Sequence, residues 1–146
     1  MQLSEQGIEE RIDACPIARL ATQSADGHLH QVPVVFARSG GRLWSPVDGK
    51  PKRGEELARV RNLRANPDAS LLLDEYHADW TRLWWIRIEV TAEVIQPASP
   101  DDSDVSAAIR ALETKYPQYA SVPVLRNPPT LIAFESARMA SWIASS

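Results

Sequence analysis

Apolar residues recur along this chain at two spacings, and the switches between them predict its elements. Ile8, Ile12 and Cys15 fall at helical spacing after Ser4, a fitting N-cap, so residues 3–15 read as an amphipathic helix that Pro16 ends. Ile17 to Ser24 alternates instead, with Ile17, Arg19 and Ala21 on one face and Ala18 and Leu20 on the other. Asp26-Gly27 is a two-residue hairpin signal, and Leu29 to Ala37 makes a second, valine-rich strand. Pro33 within it cannot donate to a ladder, which predicts a bulge or a sheet edge there. Ser39-Gly40-Gly41 then turns the chain into a short strand at Arg42–Ser45, completing an antiparallel meander.

A loop from Pro46 to Pro51 leads into a helix from about Lys52 to Ala65, with Leu57, Val60 and Leu63 inward and Asn66-Pro67 as its stop. Ala69 to Tyr76 is a strand, residues 77–82 interrupt, and Leu83 to Ile95 is a long strand. Trp85, Arg87, Glu89 and Thr91 share one of its faces, and Trp84, Ile86, Ile88 and Val90 the other. After a polar loop at 96–104 comes a helix ending at Tyr116, then a proline-punctuated stretch, then two short strands at Thr130–Glu135 and Met139–Ala144. Six or seven strands with short connections, one central helix and two flanking helices predict a mainly β fold, a closed or nearly closed barrel that leaves few exposed edges.

With 146 residues, no compositional break and no internal repeat, the chain reads as one domain over 1–146. Its 44% apolar and 24% charged residues exclude a disordered or fibrous chain. No apolar run approaches the ~20 residues that span a bilayer, and the first residues lack the layout of a secretion signal, so a cytoplasmic protein without membrane contact is expected. The single Cys15 rules out an internal disulfide. A net charge of −3 argues against nucleic acid as a partner, but its distribution is uneven. Lys50, Lys52, Arg53, Arg59, Arg61 and Arg64 face only Glu55 and Glu56, giving this segment +4 and the remainder −7. A basic segment on an acidic body suits a small anionic ligand or a solvated helix face.

Dinucleotide, P-loop, zinc-protease and nucleophile-elbow motifs are absent. His28 and His30, two apart, and His77 lack the partners that a metal site needs, so no metal is expected. Without an acid–base pair or a triad, any redox chemistry falls to a bound cofactor. Lys50, Lys52 and Arg53 stand where the second helix is expected to begin, an end that disfavours cations unless an anion sits among them. Trp80, Trp84 and Trp85 cluster within six residues, and one core cannot bury both Trp84 and Trp85.

The succession ARLATQSADGHLHQVPVVF, RLWSPVDGKPKRGEELARVRNLRANPDASLLLDEY and RLWWIRIEVTAEVI resembles the pyridoxamine-phosphate-oxidase-like flavin-binding split barrels. Within them it is most similar to the actinobacterial branch of deazaflavin (coenzyme F420) enzymes. The resemblance implies a six-stranded antiparallel split β-barrel and a homodimer with two cofactor sites at the subunit interface. It implies that Gln31, Val32, Pro33 and Val34 run along the isoalloxazine-type ring. Trp44 and Ser45 match an aromatic-hydroxyl pair near the phosphate, Lys50, Lys52 and Arg53 match the phosphate-binding stretch, and Arg61 and Asn62 are candidate contacts. Trp85 takes the place at which flavin-binding relatives carry a glutamine that reaches the ring from the partner chain, a departure that fits the deazaflavin branch. The expected activity is hydride transfer from F420 to a small organic substrate. The alternatives are an FMN-dependent oxidoreductase and a non-catalytic flavin- or haem-binding protein.

Overall fold

Alternation along the longest strands builds the barrel. The computed structural model describes residues 1–48 and 57–144. Strands β1 (Ala18–Gln23), β2 (Leu29–Val34), β3 (Ala37–Ser39), β4 (Arg42–Pro46), β5 (Asp68–Glu75), β6 (Trp84–Ile95) and β7 (Leu131–Ile143) form one antiparallel sheet. Their order is β2-β1-β5-β6-β7-β4-β3. In β6 Trp84, Ile86, Ile88 and Val90 are buried, while Arg87 and Thr91 point out. Inward residues of six strands, among them Leu20, Val34, Leu43, Leu71, Ile88 and Phe134, share a single core. One face of one sheet can do this only by curling around itself, so the sheet is a barrel left open between β2 and β3.

Seven strands stand where the resemblance implies six. The expected strand Leu29–Ala37 is two strands, because the chain leaves the ladder at Val35 and Phe36. The two expected terminal strands are instead one, β7, which absorbs an extra residue: Glu89 pairs with Arg138 but Val90 with Ser136, leaving Ala137 as a bulge. Pro33 lies on β2, an edge strand, as its missing N–H requires. Gly40 and Gly41 turn β3 into β4 with φ of 60° and 78°, a conformation open to glycine at little cost.

Helix α1 (Glu5–Ala14) is capped by the Ser4 hydroxyl, which accepts the Gly7 N–H at 3.0 Å, and it lays Ile8 and Ile12 on the barrel core. Helix α2 spans Ala58–Ala65, and the part of the expected helix from Lys52 to Glu56 lies outside the described residues. Leu57 keeps an extended backbone while its side chain packs on the barrel core, and the helix begins after it. Helix α3 (Ser103–Lys115) covers the outer side of β3, β4 and β7 through Val105, Ala108 and Leu112, which bury Trp44, Leu131 and Ala133 in a second core. Leu131–Phe134 is therefore buried on both faces.

Candidate functional site

On α2, Arg59 and Asn62 lie one turn apart and so share a face. Asn62 is buried, and its Nδ2 donates to Thr22 Oγ1 at 3.0 Å. Thr22 in turn pairs with His30 across β1 and β2, so the helix is pinned beside the edge strand. Two nitrogens at this corner, Arg59 Nε and His30 Nδ1, are buried without a hydrogen-bond partner. Burial lowers the pKa of the Arg59 guanidinium, Asp48 opposes that shift and Arg126 adds to it. Asp48, just past β4, is itself buried and accepts from the Tyr119 hydroxyl at 3.3 Å. Burial first, then the Asp48 charge, pushes the Tyr119 phenol far above its usual range. Arg126 is brought in by its backbone N–H, which donates to the Val47 carbonyl at 3.0 Å.

Among the described residues, two guanidiniums and one carboxylate thus meet where β4 leaves the sheet, beside the orphaned Nε–H of Arg59. An uncompensated buried donor costs ~1–3 kcal/mol, so such a corner suits an anion that accepts charge-assisted hydrogen bonds. Asp48, Tyr119 and Arg126 carry no local sequence signal. They come together only through the docking of the segment after α3.

The outer face of β2-β1-β5-β6-β7 is the second element of the site. Pro33, Arg19, Leu72, Arg87 and Ala140 align in one row across the five strands, and Gln31, Ala21, Ser70, Glu89 and Arg138 in the next. Asp74, Trp85 and Trp142 form a third row. Arg19 pairs with Asp74 and Arg138 with Glu89, so charge on this face is largely neutralised internally. Between them Leu72 and Trp85 are half-buried and Trp142 is 37% exposed, around a hollow of about 310 Å³. The Arg87 guanidinium carbon sits 5.3 Å from the Trp85 ring centre, within cation–π range.

The structure distributes the residues singled out in the sequence unevenly. Gln31 and Pro33 are exposed on the outer face with Trp85, whereas Val32 packs against the core and Val34 is within it. Trp44 lies beneath α3, its indole N–H donating to the Ser39 carbonyl at 2.9 Å and its ring 4.4 Å from the Arg42 guanidinium. The Ser45 hydroxyl, fully buried, donates to the Val35 carbonyl at 2.7 Å. Both side chains are engaged inside the fold. Arg61 is exposed on α2, and Asn62 is held by Thr22. Lys50, Lys52 and Arg53 lie outside the described residues. Among the described residues no group of three or more His, Cys, Asp or Glu could hold a metal ion, and no helix is long and apolar enough to cross a membrane.

The family model for pyridoxamine 5'-phosphate oxidase matches residues 4–142, nearly the whole chain. The chain belongs to that family. Its fold is the family's split barrel, mainly β with flanking helices. Among solved structures, a conserved hypothetical protein of Mycobacterium tuberculosis superposes with a TM-score of 0.75 at 21% identity, over 97% of this chain and 85% of that one. HutZ, the haem storage protein of Vibrio cholerae, gives 0.71 at 15% identity, over 98% and 95%. An FAD-binding protein of Mesorhizobium loti gives 0.69 at 18% identity, over 97% and 93%. At these identities the likeness is one of fold. Among curated proteins, none matches the sequence.

Proposed function

We propose that this member of the family is an oxidoreductase that binds a flavin-type cofactor between two copies of itself and passes hydride to a small organic substrate. Coenzyme F420 is the leading reading for the cofactor, and FMN is the alternative. The observation that carries the proposal is the orphaned Nε–H of Arg59, which lies near Asp48 and Arg126 at the end of β4. Both cofactors bring a phosphate that would accept that donor. Arg59 and Arg126 hold it, with Lys50, Lys52 and Arg53 in the adjoining segment. Strand β2 supports the ring position, since an edge strand leaves backbone N–H and C=O groups unpaired on its outer side for a heterocycle edge to use. When bound, the cofactor supplies a two-electron hydride carrier; the chain's own part is to orient it and exclude water.

The second copy follows from the outer face, where Leu72, Trp85 and Trp142 need a covering that none of the described residues provides. Trp85, large and aromatic in place of an amide, favours the deazaflavin over FMN. A non-catalytic haem-binding role is the second reading, favoured by the fold likeness to the haem storage protein of V. cholerae. Titrating purified protein with F420, FMN and haemin, followed by absorbance and fluorescence, separates the three. Tight F420 binding with turnover of an electron-poor acceptor is the expected result. Haemin binding alone, or no binding of either flavin-type cofactor, overturns the proposal.

A further inference from the structure

A cleft of about 800 Å³ opens at the other end of the barrel, between the C-terminal end of α1 and the β5–β6 connection. It lies at the Ala18 end of β1, four residues from Thr22 and so ~13 Å of strand away from the Arg59 corner. Its volume is within the range of small-molecule sites. Ala14, Pro16, Trp84 and Ile143 give it an apolar wall, and Arg11 and Arg82 bring guanidinium groups.

The charged groups of the cleft differ in whether they are satisfied. Asp74 is paired with Arg19. Glu75 accepts the Trp84 indole N–H at 2.7 Å and pairs with His77, and these two partners, His77 first, hold its carboxyl below the usual range. Glu10 accepts from Gln6 Nε2 at 2.9 Å. Arg11, by contrast, donates through Nη1 to the Gly7 carbonyl at 3.2 Å, and its Nε is buried with no acceptor. Its guanidinium carbon stands 5.4 Å from the Trp84 ring centre, which anchors the group without neutralising it. Neither Arg11 nor Arg82 has an ion pair among the described residues, and Glu75 and Asp79 attract Arg82 only at longer range. The carboxylates here already have donors; among the described residues the guanidiniums lack a carboxylate partner, and the Arg11 Nε lacks any acceptor.

We infer that this cleft binds a small organic monoanion, an aromatic or branched carboxylate held by Arg11 with Arg82 at the rim and its apolar body against Ala14, Pro16 and Ile143. A planar carboxylate matches the guanidinium fork, and the apolar wall selects a body that inorganic anions lack. The site is separate from the flavin-type reading, and its test needs no cofactor.

Isothermal titration of the cofactor-free chain with benzoate and phenylacetate tests it, with benzylamine as a probe of the same body and opposite charge. One site per chain is expected for the two acids and no binding of the amine. Arg11→Gln should weaken binding about tenfold or more, as loss of a charge-assisted bond does, and Arg82→Gln less. Ala14 is exposed on α1, so Ala14→Leu fills the cleft without opening the core, and it should abolish binding even if the Arg11 variant folds poorly. Absence of saturable binding of both acids, equal binding of benzylamine, or wild-type affinity in Ala14→Leu overturns the inference.

Discussion

The Tyr116 hydroxyl accepts the backbone N–H of Phe36 at 3.0 Å while its own proton faces the carbonyls of Pro16, 2.9 Å away, and Phe36, 3.0 Å away. This mends the opening of the barrel. Val35 and Phe36 have left the ladder between β2 and β3, and a buried backbone group without a partner is costly. Tyr116 serves Phe36, and the Ser45 hydroxyl serves the Val35 carbonyl. Tyr116→Phe should therefore lower stability by about 1–3 kcal/mol with the fold retained, measured by urea denaturation alongside circular dichroism. An unchanged midpoint would mean that water replaces the phenol at no cost.

Arg59→Gln should separate binding from folding. Removing a charge-assisted donor costs ~1.5–3 kcal/mol of ligand affinity, about ten- to a hundredfold. Folding should be unchanged or slightly improved, because the substitution removes a guanidinium whose burial outweighs the attraction of Asp48. Cofactor titration and thermal melting on the same samples check both halves. Affinity equal to that of the parent protein would move the phosphate elsewhere.

Trp142→Glu places a charge beside Trp85, at the β7 end of the outer row. In a dimer built on this face it should raise the dissociation constant at least about thirtyfold, the usual weight of a central aromatic contact. Light scattering across a dilution series reads this directly. A parent protein that is monomeric at micromolar concentration would remove the interface altogether.

Lys115 gives the fold a measurable pH dependence. Its Nζ donates to the Ile12 carbonyl at 3.1 Å and lies 3.7 Å from the Phe36 ring centre, facing Asp13 of α1, Cys15 just past it and the neighbouring Tyr116. Burial pulls its pKa from 10.5 to about 8, against the charges of Cys15 and Asp13. Below about pH 8 the amine is protonated in both folded and unfolded chains, and the penalty of burying the charge is complete. Between there and 10.5 the folded chain has released the proton and the unfolded chain has not, so stability contributed by this residue rises with pH. Lys115→Met should lose that rise when urea midpoints are compared across the window. The same slope in both proteins would assign it to another group.

What could be read from the sequence was the part governed by local periodicity. The alternation of Trp84 to Thr91 gave both faces of β6, and Pro33 marked the sheet edge, because each depends on backbone geometry within a few residues. Periodicity could not tell that Trp44 would lie under α3, since an aromatic at a strand end looks the same beneath a helix or beside a ligand. Nor could it join Thr130–Glu135 to Met139–Ala144, because a bulge at Ala137 hides the continuity of one strand. The Asp48, Tyr119 and Arg126 cluster was illegible for a different reason. Its members are some 70 residues apart, and only the packing of α3 and the segment after it brings them together.

Strand β7 stands between β6 and β4 in the sheet, although of these seven strands it is made last. The β3–β4 hairpin is therefore made early and must wait some 85 residues for the neighbour that attaches it to the rest of the sheet. Until then the edge of β4 from Leu43 to Pro46 has no strand to pair with, and such waiting edges are where nascent chains stick to one another. Pairings this distant along the chain also close slowly. A chain interrupted before Leu131 has half a barrel and an unattached hairpin, which makes the final segment the step that commits the molecule to its fold.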